Sequence, residues 1–209
     1  METMMEKLSK KTLLVPGALI LAVACTAVPA YADGEHSTSV ETLLPELGES
    51  QSAEDEVLAE EADLEALGGI DPASVRFLGE DELGAYWLGR AGSSEVCLVV
   101  QAPGHYEVTS SSCADISQFS RTGLSLRTGE TADKENNPEA YLMPADVSSS
   151  ELEPYSTSSA SVMSQTAEPG SRSGLLVVRS GDAHRDLKPT EISRGDGSTF
   201  EFTPLDSEE

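Results

Sequence analysis

The chain has 209 residues, with 37 acidic side chains against 13 basic ones and a formal net charge of −24. A polyanion of this strength is repelled by nucleic acid and by anionic membrane surfaces, so neither is expected as a partner unless a cation bridges them. Solubility is the simpler use of such charge.

Residues 1–32 follow the order of an export signal. Lys7, Lys10 and Lys11 form the charged start, Leu13 to Ala27 the apolar stretch, and Pro29-Ala30-Tyr31-Ala32 the small-residue site, which predicts cleavage between Ala32 and Asp33. Two other readings stay open: an uncleaved membrane anchor, interrupted by Pro16-Gly17, and a lipoprotein box ending at Cys25, whose acylation would tether the chain. Cleavage leaves ten basic and 35 acidic residues, a charge of −25.

From Asp33 to Val75 there are 13 acids and neither lysine nor arginine, so residues 33–52 are expected to form a disordered acidic arm. A helix is predicted over 53–67, started by a Ser52/Asp55 capping box and stopped by Gly68-Gly69. Its apolar face is expected to carry Ala53, Val57, Leu64 and Leu67. Runs of strand length follow at 75–78, 85–88, 96–101, 123–127 and 140–143, with Gly89 to Ser94 as a hairpin loop. Phe77, Tyr86, Trp87, Leu98, Val100, Phe119 and Leu124 form the expected core.

With Cys25 removed, Cys97 and Cys113 remain as an even pair, which in an oxidising compartment predicts a disulfide. Closing that loop removes about 3 kcal/mol of unfolded-state entropy, a large share of a small domain's stability. Residues 148–173, with 12 Ser or Thr, read as a linker. Beyond it, 174–180 reads as a strand, and 191–193 with 199–203 as a hairpin around Arg194-Gly195-Asp196-Gly197. These last strands either complete the first sheet or form only with a partner. The expected fold is α+β: a small, mostly antiparallel, disulfide-stapled domain over 53–147 with one N-terminal helix, flanked by disordered segments and followed by a β-rich tail over 174–209.

The segments GAYWLGRAGSSEVCLVV (84–100), SSCADISQFSRTGLSL (111–126) and AYLMPADV (140–147) resemble a recurrent domain of uncharacterised exported or membrane-anchored actinobacterial proteins. The resemblance covers about a third of the chain. It implies a small mixed domain with a Cys97 to Cys113 bridge, and it implies no activity.

Catalytic and ligand motifs are sparse. His36, His105 and His184 are the neutral-pH bases of the mature chain, and none has a supporting motif. Gly170-Ser171-Arg172-Ser173-Gly174 imitates a nucleophile elbow but has Arg172 where serine is required. Calcium would have to be held by Asp81-Glu82 or Asp196 without the loop pattern of a dedicated site. Arg194-Gly195-Asp196 at a hairpin tip would project both charges toward a receptor, unless it is simply a Gly-Asp-Gly turn. No catalytic, metal or cofactor residue is assigned. The expected function is that of a non-enzymatic interaction protein, secreted or in the cell envelope, with an unknown protein or envelope partner. The membrane enters only through an acylated Cys25 or a retained signal. The alternative is an envelope hydrolase with a pocket beside Trp87.

Overall fold

In the first sheet, β1 (Arg76–Asp81), β2 (Gly84–Ala91), β3 (Glu95–Ala102) and β4 (Val108–Asp115) follow one another as antiparallel neighbours. The computed structural model describes residues 39–103, 108–129, 137–147, 160–163, 173–182 and 187–205, all within the unit Ser37–Glu209. Facing pairs alternate between the sheet's two sides: Tyr86 with Val100 and Leu88 with Leu98 point one way, Trp87 with Val99 and Gly89 with Cys97 the other. Both sides are buried, which explains why β3 reads as an unbroken apolar run rather than alternating with polar residues.

The second sheet has the order β5-β6-β8-β7, from β5 (Leu124–Arg127), β6 (Pro138–Met143), β7 (Ala160–Met163) and β8 (Gly174–Arg179). Every pairing in it is antiparallel. The two sheets stack, and the core between them combines Tyr86, Leu88, Leu98 and Val100 with Ala140, Leu142, Leu175 and Val177. At one edge Ser110 and Thr128 join β4 to the residue after β5 through a 2.7 Å hydroxyl hydrogen bond.

Each outer face has its own cover. Leu58 of α2 (Ala53–Glu61) packs with Leu64, Ile70 and Val75 over Trp87, Cys97 and Val99 of the first sheet. The hairpin of β9 (Thr190–Ser193) and β10 (Thr199–Phe202) lays Ile192, Phe200 and Phe202 over Tyr141, Met143, Leu176 and Val178 of the second. The result is four layers: cover, sheet, sheet, hairpin. The mostly antiparallel α+β expectation holds, with a Cys97–Cys113 bridge linking directly opposed residues of β3 and β4.

Several expectations need correction. The acidic arm is not disordered over its described part: α1 (Val40–Leu43) and a 3-10 turn (Pro45–Gly48) place Val40, Leu43 and Leu44 in the core between the sheets. Apolar residues at i, i+3 and i+4 suffice to dock one turn, whatever the charge around them. The predicted helix over 53–67 ends at Glu61. Its inward face is Asp55 and Leu58, while Val57 is 41% exposed. Gly89 to Ala91 belong to β2, and only Gly92 to Ser94 turn; Gly89 is there because a Cβ would meet Ile70 Cγ2 at 2.6 Å.

The boundary at 147 also falls. β8 lies beside β6 inside the second sheet, so the tail is integral rather than appended. The linker 148–173 lies largely outside the described residues, but its Ala160–Met163 pairs with β8 as β7. Two further elements were not foreseen. β4 is a serine-rich edge strand held by continuous pairing with β3. α3 (Ile116–Thr122) starts at Asp115, whose side chain accepts the Ser117 amide, and buries Phe119.

Candidate functional site

Asp81 ends β1 and builds the turn into β2. Its Oδ1 accepts the amides of Leu83 at 2.8 Å and Gly84 at 3.1 Å and the hydroxyl of Tyr86 at 2.9 Å, so the side chain stands in for a backbone acceptor. Burial, followed by the charge of Asp81 and its hydrogen bond, pushes the Tyr86 phenol far above its ordinary value and keeps it a donor. Gly84 is required for space: a Cβ would stand 2.6 Å from the Gln101 carbonyl oxygen.

This close approach of turn and strand end shapes a cleft of about 250 Å³ lined by Glu80, Asp81, Glu82, Gln101, Ala102 and Pro103. Glu82 is 75% exposed at the rim, and Arg179, from the end of β8, reaches it at 2.5 Å. A guanidinium of the chain itself thus already visits the rim. An exposed pair of this kind is worth about 1 kcal/mol or less, so an external ammonium or guanidinium competes for Glu82 on near-equal terms. The arrangement suits recognition of a cationic group and offers no positioned nucleophile.

The residues singled out from sequence are scattered. Cys97 and Cys113 are joined. Cys25, Ala32, Asp33, His36, His105, His184 and Arg172 lie outside the described residues. Trp87 is 3% exposed beneath α2, its ring tilted at 55° to Phe77 with centroids 5.5 Å apart, and its Nε1 donates to the Glu54 carbonyl. Asp81 serves its turn, and the described residues contain no group of three or more potential metal ligands.

The Arg-Gly-Asp tripeptide does not present both its charges: Asp196 is exposed, but Arg194 is withdrawn. Arg194 is nearly buried, forms a forked pair with Asp146 at 2.7 and 2.9 Å, and donates to the Ser120 carbonyl at 2.6 Å. Asp196 accepts the Ser198 hydroxyl and amide, which together hold its carboxyl below the usual range. These residues anchor the hairpin; the turn reading is the correct one.

Two buried polar sites escaped the sequence. Glu46 Oε1 accepts both the amide and the hydroxyl of Ser173, at 2.8 and 2.9 Å, while its Oε2 is buried without a hydrogen-bond partner. Glu139, 1% exposed, accepts from Arg127 Nε at 2.7 Å and from the Tyr141 hydroxyl at 2.6 Å. The single charge in each of β5 (Arg127) and β6 (Glu139), of opposite sign within apolar runs, is the one signal that pointed to the second site; the first joins positions 127 residues apart and left none. Among the described residues, no helix is long and apolar enough to cross a membrane. No protein-family model, curated protein or solved structure matches the chain.

Proposed function

We propose that this chain is an exported, non-enzymatic interaction protein that engages a cationic segment of a partner at the acidic cleft between the β1–β2 turn and the end of β3. Export is supported by the order of features in residues 1–32, by the Cys97–Cys113 bridge, and by the resemblance to exported actinobacterial domains. The observation that carries the binding reading is the cleft itself. Glu80, Asp81 and Glu82 line it together with the uncharged Gln101, Ala102 and Pro103, so a lysine or arginine side chain enters with its charge among carboxylates.

The probe is a short peptide of alternating lysine and serine, titrated calorimetrically against the mature chain at two salt concentrations. A protein of this charge attracts any polycation, so Glu80→Gln/Glu82→Gln is compared with Glu191→Gln/Glu201→Gln, an equal charge change on the exposed hairpin. The cleft variant is expected to weaken binding about tenfold more than the hairpin variant and to flatten the salt dependence. Equal losses in the two variants would show that only net charge attracts the peptide, and the cleft would no longer be the site.

A further inference from the structure

We propose that Cys113 is a thiol-exchange site through which an external dithiol opens the Cys97–Cys113 bridge and loosens the cover formed by residues 53–70. The two cysteines differ in access. Cys97 is wholly buried in the cluster of Leu58, Ile70, Val75 and Trp87, whereas Cys113 is an exposed residue on the edge strand β4. Attack therefore comes at the Cys113 sulfur.

The cover rests directly on that sulfur. Sγ of Cys113 stands 3.9 Å from the Leu67 carbonyl oxygen, and a Cβ on Gly68 would stand 3.0 Å from it. Gly68 has φ +111°, a conformation that side chains rarely adopt, so this turn is fitted around the bridge. Next to it, Ser111 donates its hydroxyl to the Leu67 carbonyl at 2.6 Å. The Cα atoms of the pair are 4.1 Å apart in a continuous ladder, so once the bridge opens it is the Cys113 side chain, on the edge strand against Leu67 and Gly68, that has room to move.

The exchange balances as follows. One thiolate of the dithiol bonds to Cys113 Sγ, the bridge breaks, and Cys97 Sγ leaves with the electron pair and takes up a proton. The second thiolate of the dithiol then attacks its own sulfur in the mixed disulfide, closing the reagent's disulfide and releasing Cys113 as a thiol. Two electrons pass from dithiol to protein. Departure of Cys97 places charge among apolar side chains, so it is slow while the cover is closed and faster once it lifts. Reduction and cover opening thus promote each other. The core between the two sheets contains no cysteine and stays intact.

The test treats the full mature protein with dithiothreitol in native buffer, traps thiols with iodoacetamide, and follows amide exchange by mass. Reduced protein is expected to lose about tenfold more protection over 53–70 than over β6 and β8, where only the lost constraint on the unfolded chain acts. A brief exposure to glutathione is expected to place the adduct on Cys113. Gly68→Ala, which forces the turn off the sulfur, is expected to speed reduction several-fold with β6 and β8 still protected. Reduction only at the rate of global unfolding, unchanged exchange over 53–70, or an adduct on Cys97 would each overturn the proposal.

Discussion

Tyr86 and Tyr141 bury their phenols, the first against Asp81 and the second against Glu139. Burial is the largest cause raising both above the ordinary value of 10.0; the charge and hydrogen bond of Asp81 add to it at Tyr86, and at Tyr141 the hydrogen bond to Glu139 outweighs the opposing Leu205 amide. A phenol whose folded pKa is raised holds its proton more tightly when folded. Its stabilisation is complete below the unfolded value near pH 10 and is lost as pH rises above that. Each tyrosine therefore contributes a fall of about 1.4 kcal/mol per pH unit above pH 10. Guanidinium unfolding at a series of pH values from about 9 to 12 measures this slope. Tyr86→Phe/Tyr141→Phe is expected to start less stable, because the part-buried Asp81 and the buried Glu139 lose donors, yet to show a flatter alkaline slope. A slope equal to that of the parent chain would mean that neither phenol is held protonated by the fold. Sequence revealed Tyr86 as a core residue through its place in an apolar run, but a hydroxyl's partner depends on which turn folds beneath it. In the sequence Asp81 reads only as a candidate calcium ligand for that reason.

At the scale of elements, α2 shows what local patterning conveys and where it stops. Its start was legible: the Ser52/Asp55 capping box is present, with the Ser52 amide donating to Asp55 Oδ2 at 2.6 Å. Its inward face was not, because the second carboxylate oxygen of Asp55 accepts the Phe77 amide at the start of β1, and this contact turns an acidic residue toward the sheet. A wheel drawn on hydrophobicity assigns that position to solvent. The consequence is a ranking opposite to the one the sequence suggests. Leu58→Ala is expected to cost about 2–4 kcal/mol by opening a cavity over Trp87, and Val57→Ala less than about 0.5 kcal/mol. Denaturant midpoints give the stabilities, and Trp87 fluorescence reports whether its surroundings change in the first variant alone. Comparable losses at the two positions would restore the predicted face. β4 was missed for a related reason: Thr109, Ser110, Ser111 and Ser112 carry no apolar signal, and the strand exists because β3 offers it an edge.

Across the whole molecule, the central error of a sequence-based reading lay in locality. Runs of strand length over 75–143 and 174–203 were recognisable one by one, yet their grouping into two sheets depends on pairings between distant segments, with β8 inserted beside β6 rather than following a separate core. The segment from Val40 to Leu44 belongs to the same core despite its acidic neighbours. These placements make the ends of the chain part of its stability. A fragment of residues 33–147 keeps every strand of the first sheet but loses Leu175 and Val177 from the core between the sheets. It also loses the hairpin that covers Tyr141 and Met143, and leaves the backbone groups of β6 that pair with β8 without partners. Buried apolar area of that extent cannot be removed from a structure stabilised by only about 5–15 kcal/mol. The chain from residue 33 to residue 209 is expected to melt in one cooperative transition, and the fragment to bind a hydrophobic dye and show no thermal transition by near-ultraviolet circular dichroism. A cooperative melt of the fragment would show instead that the first sheet and its cover are self-sufficient. The second sheet would then be completed on a core already folded.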